Sequence, residues 1–87
     1  MTSPAKGKSD KPDESLMRIG EAAKAAGVSR QTIEYYIMLG LIEPIRGESA
    51  RSRFFDAKLI RRIRLIRRLN ESGYTLQSIR ETYLDRH

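Results

Sequence analysis

The stretch from Ile19 to Met38 constrains the fold most, because it sets two short helical segments on either side of one glycine. Gly27 can adopt the left-handed conformation that ends a helix. Ser29 can cap the following helix by accepting a hydrogen bond from the N–H of Gln31 or Thr32. Two short helices joined by so tight a turn predict a helix-turn-helix.

The predicted second helix, from about Arg30 to Leu39, has two different faces. Ile33 and Tyr36 are three residues apart and share a face. We expect that face to pack in the core beside the small Ala23 of the first helix, which we predict over about Gly20 to Ala26. The side chains left pointing outward are those of Arg30, Gln31, Glu34 and Tyr35. A helix with an exposed polar N-terminal half suits a reader of the DNA major groove.

A short β-hairpin, or wing, is predicted after Gly40, which ends the second helix. Leu41–Ile45 is expected to be extended, because Pro44 disfavours helix at the residue before it. Arg53–Phe55 is the second predicted strand. The segment Arg46–Ser52 between them is polar and turn-like. A pair of short strands around a basic loop follows from this pattern.

A long helix is predicted next, from about Ala57 to Glu71 or Ser72, with Asp56 as its cap. On its inner face we expect Leu59, Ile63 and Ile66, flanked by Ile60 and Leu69. On the opposite face lie Arg61, Arg64 and Arg68. Thr75 can cap a last helix with Leu76, Ile79 and Tyr83 turned inward. The predicted fold class is therefore mostly α.

Length and composition limit the functions that such a chain can have. With 87 residues we expect one domain over residues 16–87, preceded by a flexible tail over residues 1–15. Cysteine is absent, which excludes disulfides and thiolate metal sites, and the one histidine is His87. We therefore expect no metal, no other cofactor and no enzyme. Because no apolar run approaches a membrane span and no signal-peptide pattern is present, we expect a cytoplasmic protein.

The positive charge of the chain is concentrated in one block. The net charge of the whole chain is +6, whereas residues 46–68 hold nine basic and two acidic side chains, a net +7. The basic residues are Arg46, Arg51, Arg53, Lys58, Arg61, Arg62, Arg64, Arg67 and Arg68. Guanidinium groups bind phosphate bidentately, so the block favours a phosphate-bearing partner. For the outer face of the long helix, a solvated charged surface is an equally good interpretation.

In the same order along the chain, these elements resemble the DNA-binding domain of the MerR family of transcription regulators. The likeness covers about Arg18 to Arg80. It is carried by Ile19-Gly20-Glu21-Ala22-Ala23, Gly27-Val28-Ser29, Thr32-Ile33, Tyr35-Tyr36, Leu39-Gly40-Leu41-Ile42, Pro44, Arg53, Phe55-Asp56, Gly73-Tyr74-Thr75-Leu76 and Ile79.

The resemblance implies a winged helix-turn-helix that binds double-stranded promoter DNA. The second helix would enter the major groove, and the wing would contact the flanking backbone. The residues expected to bind DNA are Ser29, Arg30, Gln31, Thr32 and Tyr35 from the helix, with Arg46, Arg51 and Arg53 from the wing.

Two positions depart from the family pattern. Glu34 stands where the family usually has an arginine, and Ser52 replaces an aromatic residue before Arg53. A carboxylate near phosphate is repulsive, so we expect Glu34 either to pair with Arg30 or to accept from a cytosine amino group. Arg53 can brace the wing against the helix as readily as it can bind DNA.

The sequence leaves other functions open. An excisionase-like DNA-bending factor would use a similar small winged fold. A protein-binding module that does not bind DNA is favoured by Glu34 and opposed by the basic block. The hypothesis that residues 57–72 form a helix on a membrane surface is weak, because the apolar face of that helix is needed for the core. Since no apolar heptads follow Gly73, we expect this chain to be a monomer, with at most a weak or DNA-assisted dimer.

Overall fold

Two helices joined by a tight turn come first among the described elements: α1 over Ile19–Ala26 and α2 over Arg30–Met38. The computed structural model describes residues 16–49 and 52–84, with side chains through residue 82. The tail predicted for residues 1–15, the inward side chain of Tyr83 and the wing residue Arg51 lie outside what is described.

Local hydrogen bonds explain the helix boundaries, as the sequence predicted. Gly27 has a φ of 75°, and its N–H donates to the carbonyl of Ala23 at 2.9 Å, which closes α1. The Oγ of Ser29 accepts from the N–H of Thr32 at 3.0 Å and caps α2. Helix α2 ends at Met38, one residue earlier than predicted, and a second left-handed glycine follows at Gly40.

The wing is a hairpin of two short antiparallel strands, β1 over Ile45–Arg46 and β2 over Arg53–Phe54. Ile45 lies opposite Phe54, and Arg46 lies opposite Arg53. Both strands are shorter than predicted.

Next to the hairpin, Met17 and Phe55 exchange two backbone hydrogen bonds of 2.8 Å. The sequence did not predict this bridge, which joins the residues before α1 to the end of the wing.

Two further helices complete the described chain. Helix α3 spans Ala57–Glu71, and the Oδ1 of Asp56 caps it by accepting from the N–H of Leu59 at 2.9 Å. Helix α4 spans Leu76–Ile79 and is capped by Thr75, whose Oγ1 accepts from the N–H of Ser78 at 3.0 Å. A π-helical turn over Arg80–Leu84 continues α4. Both predicted caps are confirmed.

The core lies where α1, α2 and α3 meet. Its buried apolar side chains are those of Ala22, Ala23, Ala26, Ile33, Tyr36, Leu41, Ile42, Phe55, Ile60, Ile63, Ile66 and Ile79. The inner face predicted for α3 is confirmed: Ile63 and Ile66 are fully buried, and Leu59 and Leu69 are partly buried against the core. Ile60, predicted as a flank, is itself buried. Each helix of the described ranges is too short or too polar to cross a lipid bilayer.

Candidate nucleic-acid interface

Helix α2 has one buried face and one exposed face, as predicted. Ile33 is fully buried and Tyr36 is 5% exposed, so both belong to the core. Burial is the main reason that the pKa of the Tyr36 phenol is raised, and the phenol therefore stays neutral near pH 7. Arg30 and Gln31 are exposed on the other face, and Tyr35 is 47% exposed.

The first turn of α2 is ordered by its cap. The Oγ of Ser29 lies 2.9 Å from the Oγ1 of Thr32, in addition to accepting from the Thr32 N–H. Arg30 and Gln31 follow directly at the positive end of the helix dipole. The cap therefore holds four of the predicted DNA-binding residues in one rigid turn, and Tyr35 follows one turn later.

The wing and α2 are joined by a bidentate ion pair. The Nη1 of Arg53 donates to the Oε1 of Glu34 at 3.1 Å, and its Nη2 donates to Oε2 at 2.8 Å. The hydrogen bond from Arg53 is the largest reason that the pKa of Glu34 is lowered, and the charge of Arg30 adds a smaller effect. The same bond raises the pKa of Arg53.

This ion pair corrects one prediction and decides between two others. The partner of Glu34 is Arg53 and not Arg30, because the fold brings β2 against the exposed face of α2. Of the two roles predicted for Arg53, bracing the wing against the helix and binding DNA, the structure shows the first. Since Glu34 has an intramolecular partner, it no longer favours a protein-binding module without DNA.

Arg18, which was not among the residues predicted to bind DNA, also contacts the wing. The guanidinium of Arg18 lies over the Phe54 ring, 5.0 Å from its centroid, in a cation–π contact. Pairing of Met17 with Phe55 brings Arg18 there. The sequence offered no local signal for this contact. Arg46 is exposed on the neighbouring strand.

Arg67 fastens the turn between α1 and α2 to α3. Its Nη1 donates to the carbonyl oxygen of Gly27 at 2.6 Å, and its Nε donates to the Oε2 of Glu71 at 3.0 Å. In the sequence Arg67 was only one member of the basic block, although its spacing of four residues from Glu71 was a usable signal. Its charge is therefore partly engaged within the fold.

The outer face of α3 adds further positive charge. Arg61, Arg64 and Arg68 are exposed, as predicted. Arg64 and Arg68 border an open cleft with Lys24 of α1, next to Arg67. Within residues 16–49 and 52–84, no group of three or more histidine, cysteine, aspartate or glutamate side chains could hold a metal ion.

Comparison with known proteins shows the family to which this chain belongs. The family model described as MerR HTH family regulatory protein matches residues 17–85. The mercuric resistance operon regulatory protein of Bacillus cereus is 44% identical to the chain over 63 residues. This chain belongs to the MerR family. The family resemblance that the residues carried is thereby confirmed.

Other MerR-type proteins are similarly close. An HTH-type transcriptional regulator of Sinorhizobium medicae, HmrR, is 37% identical over 65 residues. The crystal structure of the transcription regulator PbrR691 from Ralstonia metallidurans CH34, in complex with lead(II), superposes with a TM-score of 0.68 at 39% identity. That match covers 75% of this chain and 50% of the other. It confirms the predicted winged helix-turn-helix.

This MerR-family chain spans about half the length of the relatives it matches. The aligned part covers 71% of this chain and 47% of the Bacillus cereus protein, and 75% of this chain and 44% of HmrR. Mercury in the name of the Bacillus cereus protein and lead(II) in the description of the PbrR691 structure refer to those two proteins. The family model itself matches residues 17–85, which hold the helix-turn-helix and the wing.

Proposed function

We propose that this chain binds double-stranded DNA sequence-specifically as a transcription regulator, with α2 in the major groove and the wing on the flanking backbone. The main observation behind this proposal is that one face of α2 is buried in the core while the opposite face is polar and exposed. Ile33 and Tyr36 fix the helix in the core, so that Arg30 and Gln31 are presented on a rigid support. The membership of the MerR family supports the same function.

Base reading is assigned to the first turn of α2. Nine residues at about 1.5 Å each give a helix of roughly 14 Å, long enough to lie in a major groove about 12 Å wide. Arg30 can donate bidentately to guanine, and Gln31 can pair with adenine. Ser29 and Thr32 belong to the same first turn and would face the DNA backbone. Tyr35 offers a phenol to a phosphate.

The wing supplies the sequence-independent part of binding. Arg46 and Arg53 lie opposite each other on β1 and β2, and Arg51 belongs to the loop between the strands. Their positive charges would release counterions from the DNA backbone when they neutralise phosphates. The proposed location is the cytoplasm.

We propose that residues 1–87 taken by themselves form a monomer, because residues 74–87 lack sustained apolar a and d positions. A monomer fills one half-site. Its affinity should lie nearer the non-specific range, roughly 10⁻⁴ to 10⁻⁶ M, than the roughly 10⁻⁸ M of dimeric regulators. Sedimentation at tens of micromolar tests this directly, and a stable dimer there would disprove it.

A salt titration of DNA binding tests the electrostatic part of the proposal. Each phosphate contact contributes about −0.9 to the slope of log K against log salt. Replacing Arg46, Arg51 and Arg53 together by alanine should flatten that slope. If the slope stays unchanged in this variant, the wing does not contact the DNA backbone.

The matched control removes the same number of charges from the outer face of α3, by replacing Arg61, Arg64 and Arg68 with alanine. If that face is only solvated, the slope should stay close to that of the parent. A slope flattened as much as in the wing variant would show that the DNA extends over α3.

Selection of binding sites from random DNA tests the reading helix. Arg30→Ala or Gln31→Ala should relax preference at one or two base pairs, by about 1–3 kcal/mol for a good bidentate contact. Arg61→Ala is the charge-matched control for Arg30→Ala and should keep the preference of the parent. If both variants in α2 select the sequence that the parent selects, α2 is not the reading helix.

A further inference from the structure

The ion pair between Glu34 and Arg53 places a wing residue on the reading surface of α2. Glu34 follows Gln31 by three residues and Arg30 by four, so all three lie on neighbouring positions of the exposed helix face. Because Arg53 binds Glu34 through two hydrogen bonds, its guanidinium is held against that face. The wing and the reading helix therefore share one surface at this point.

Pairing with Glu34 does not exhaust the donors of Arg53. A guanidinium has five N–H groups, of which the pair uses one on Nη1 and one on Nη2. The Nε–H and the outer N–H of the adjacent Nη form a second edge of the same planar group. Among the described residues, no other hydrogen-bond partner of Arg53 is found. That edge has the geometry that binds a phosphate bidentately.

Both partners are accessible to a ligand. The side chain of Arg53 is 27% exposed and that of Glu34 is 52% exposed. Arg46 lies opposite Arg53 on the wing and is exposed too. A DNA backbone that follows the wing would therefore meet the free edge of Arg53 beside a second cation.

We propose that Glu34 is a positioning residue for DNA binding: it holds Arg53 beside α2 so that the free edge of the guanidinium binds a backbone phosphate. This inference rests on the proposed function. Because an unpaired arginine loses side-chain freedom when it binds, a partner that already fixes it favours binding. A glutamate carboxylate is charged at neutral pH and can hold Arg53 there, and the hydrogen bond from Arg53 lowers the pKa of Glu34 further.

Electrostatics alone predicts the opposite change in DNA affinity when Glu34 is replaced, so the direction of that change tests the inference. Glu34 is negative and lies close to where phosphates would bind, so its removal should strengthen DNA binding if charge alone matters. If Glu34 positions Arg53, its removal should weaken binding although the net charge of the protein rises. The two outcomes differ in direction.

The experiment compares Glu34→Ala with Glu48→Ala on a DNA duplex selected by the parent chain. Glu48 is an exposed glutamate in the wing loop, so the two variants change the net charge equally. We expect Glu48→Ala to bind as tightly as the parent or slightly more tightly. We expect Glu34→Ala to bind roughly 2- to 10-fold more weakly, as for coupled residues in contact.

Variants of Arg53 separate positioning from charge and from folding. Arg53→Lys keeps the charge but lacks the second donor edge, so it should lose affinity as well. In a Glu34→Ala background, Arg53→Ala should weaken binding less than it does alone, because its partner is already gone. Arg53→Ala should also flatten the salt slope by about 0.9. Melting curves of every variant should remain cooperative, since both side chains lie at the surface.

Tighter binding by Glu34→Ala than by the parent would overturn the inference, because Glu34 would then be withholding Arg53 from the DNA. Full additivity of the two substitutions would overturn it as well. The proposed function would survive both results, since the parent would still bind its duplex. A parent chain that shows no salt-dependent binding to any duplex would instead refute DNA binding, and the inference with it.

Discussion

Replacing Gly27 by alanine tests how the turn between α1 and α2 is held. Gly27 has a φ of 75°, in the left-handed region where a Cβ approaches the following carbonyl. Alanine there costs about 1–2 kcal/mol. The new Cβ would also lie 3.3 Å from the Nη1 of Arg67, which is the mobile end of a long side chain and can move by a few tenths of an ångström.

That movement affects the hydrogen bond of 2.6 Å from Arg67 to the Gly27 carbonyl, so strain and loss of the bond act in the same direction. For a domain of this size, about 1 kcal/mol shifts the melting temperature by roughly 4–8 °C. We therefore expect the Gly27→Ala protein to melt about 4–16 °C below the parent, measured by circular dichroism.

Two control variants make the result specific to the left-handed turn. Gly20 lies within α1 with nothing within 4 Å of an added Cβ, so Gly20→Ala should stabilise the protein by about 0.5–1 kcal/mol. Asparagine tolerates the left-handed region, so Gly27→Asn should lose less stability than Gly27→Ala. A Gly27→Ala protein that melts at or above the temperature of the parent would refute the reasoning.

Three further predictions concern the core and the wing. Phe55→Ala removes a fully buried ring and should cost about 3–5 kcal/mol in urea unfolding; a cost below that of an exposed site would show that the core is misassigned. Glu34→Gln should be less stable than the parent above the pKa of an unfolded glutamate, roughly 4.3. Because folding lowers the pKa of Glu34, this difference should vanish as pH falls through the folded pKa, and a difference that persists in acid would contradict it. In Gly47→Ala the Cβ would lie 2.7 Å from the Cβ of Ser52 and 2.8 Å from the Phe54 ring, so the wing must shift. DNA affinity should fall in that variant with little change in melting temperature, and unaltered affinity would show that wing geometry is unimportant.

Local chemistry made much of the fold predictable. The caps at Ser29, Asp56 and Thr75 each depend on a hydrogen bond across three residues, which the sequence itself brings within reach. The turn at Gly27 needs only a residue that tolerates positive φ. The buried face of α2 followed from the helical period, because residues three apart lie on one side of a helix whatever packs against it.

The contact partners of the arginines could not be predicted in the same way. Arg53 binds Glu34 from 19 residues away, and Arg67 binds the Gly27 carbonyl from 40 residues away. An arginine side chain is long enough to reach acceptors on several elements, so its partner depends on how those elements are packed. The sequence offered Arg30 as the nearer partner of Glu34, whereas the fold supplies Arg53.

The sequence alone therefore determined the helices, their caps, the exposed face of α2, the basic character of the wing and the MerR-like order of these elements. All of these depend on residues close together in the chain or on their order along it. Only the tertiary structure decided that Met17 pairs with Phe55, that Arg18 stacks on Phe54 and that the wing is tied to α2 through Glu34. Such contacts depend on the angles at which helices and strands pack, and those angles are set by the whole core together.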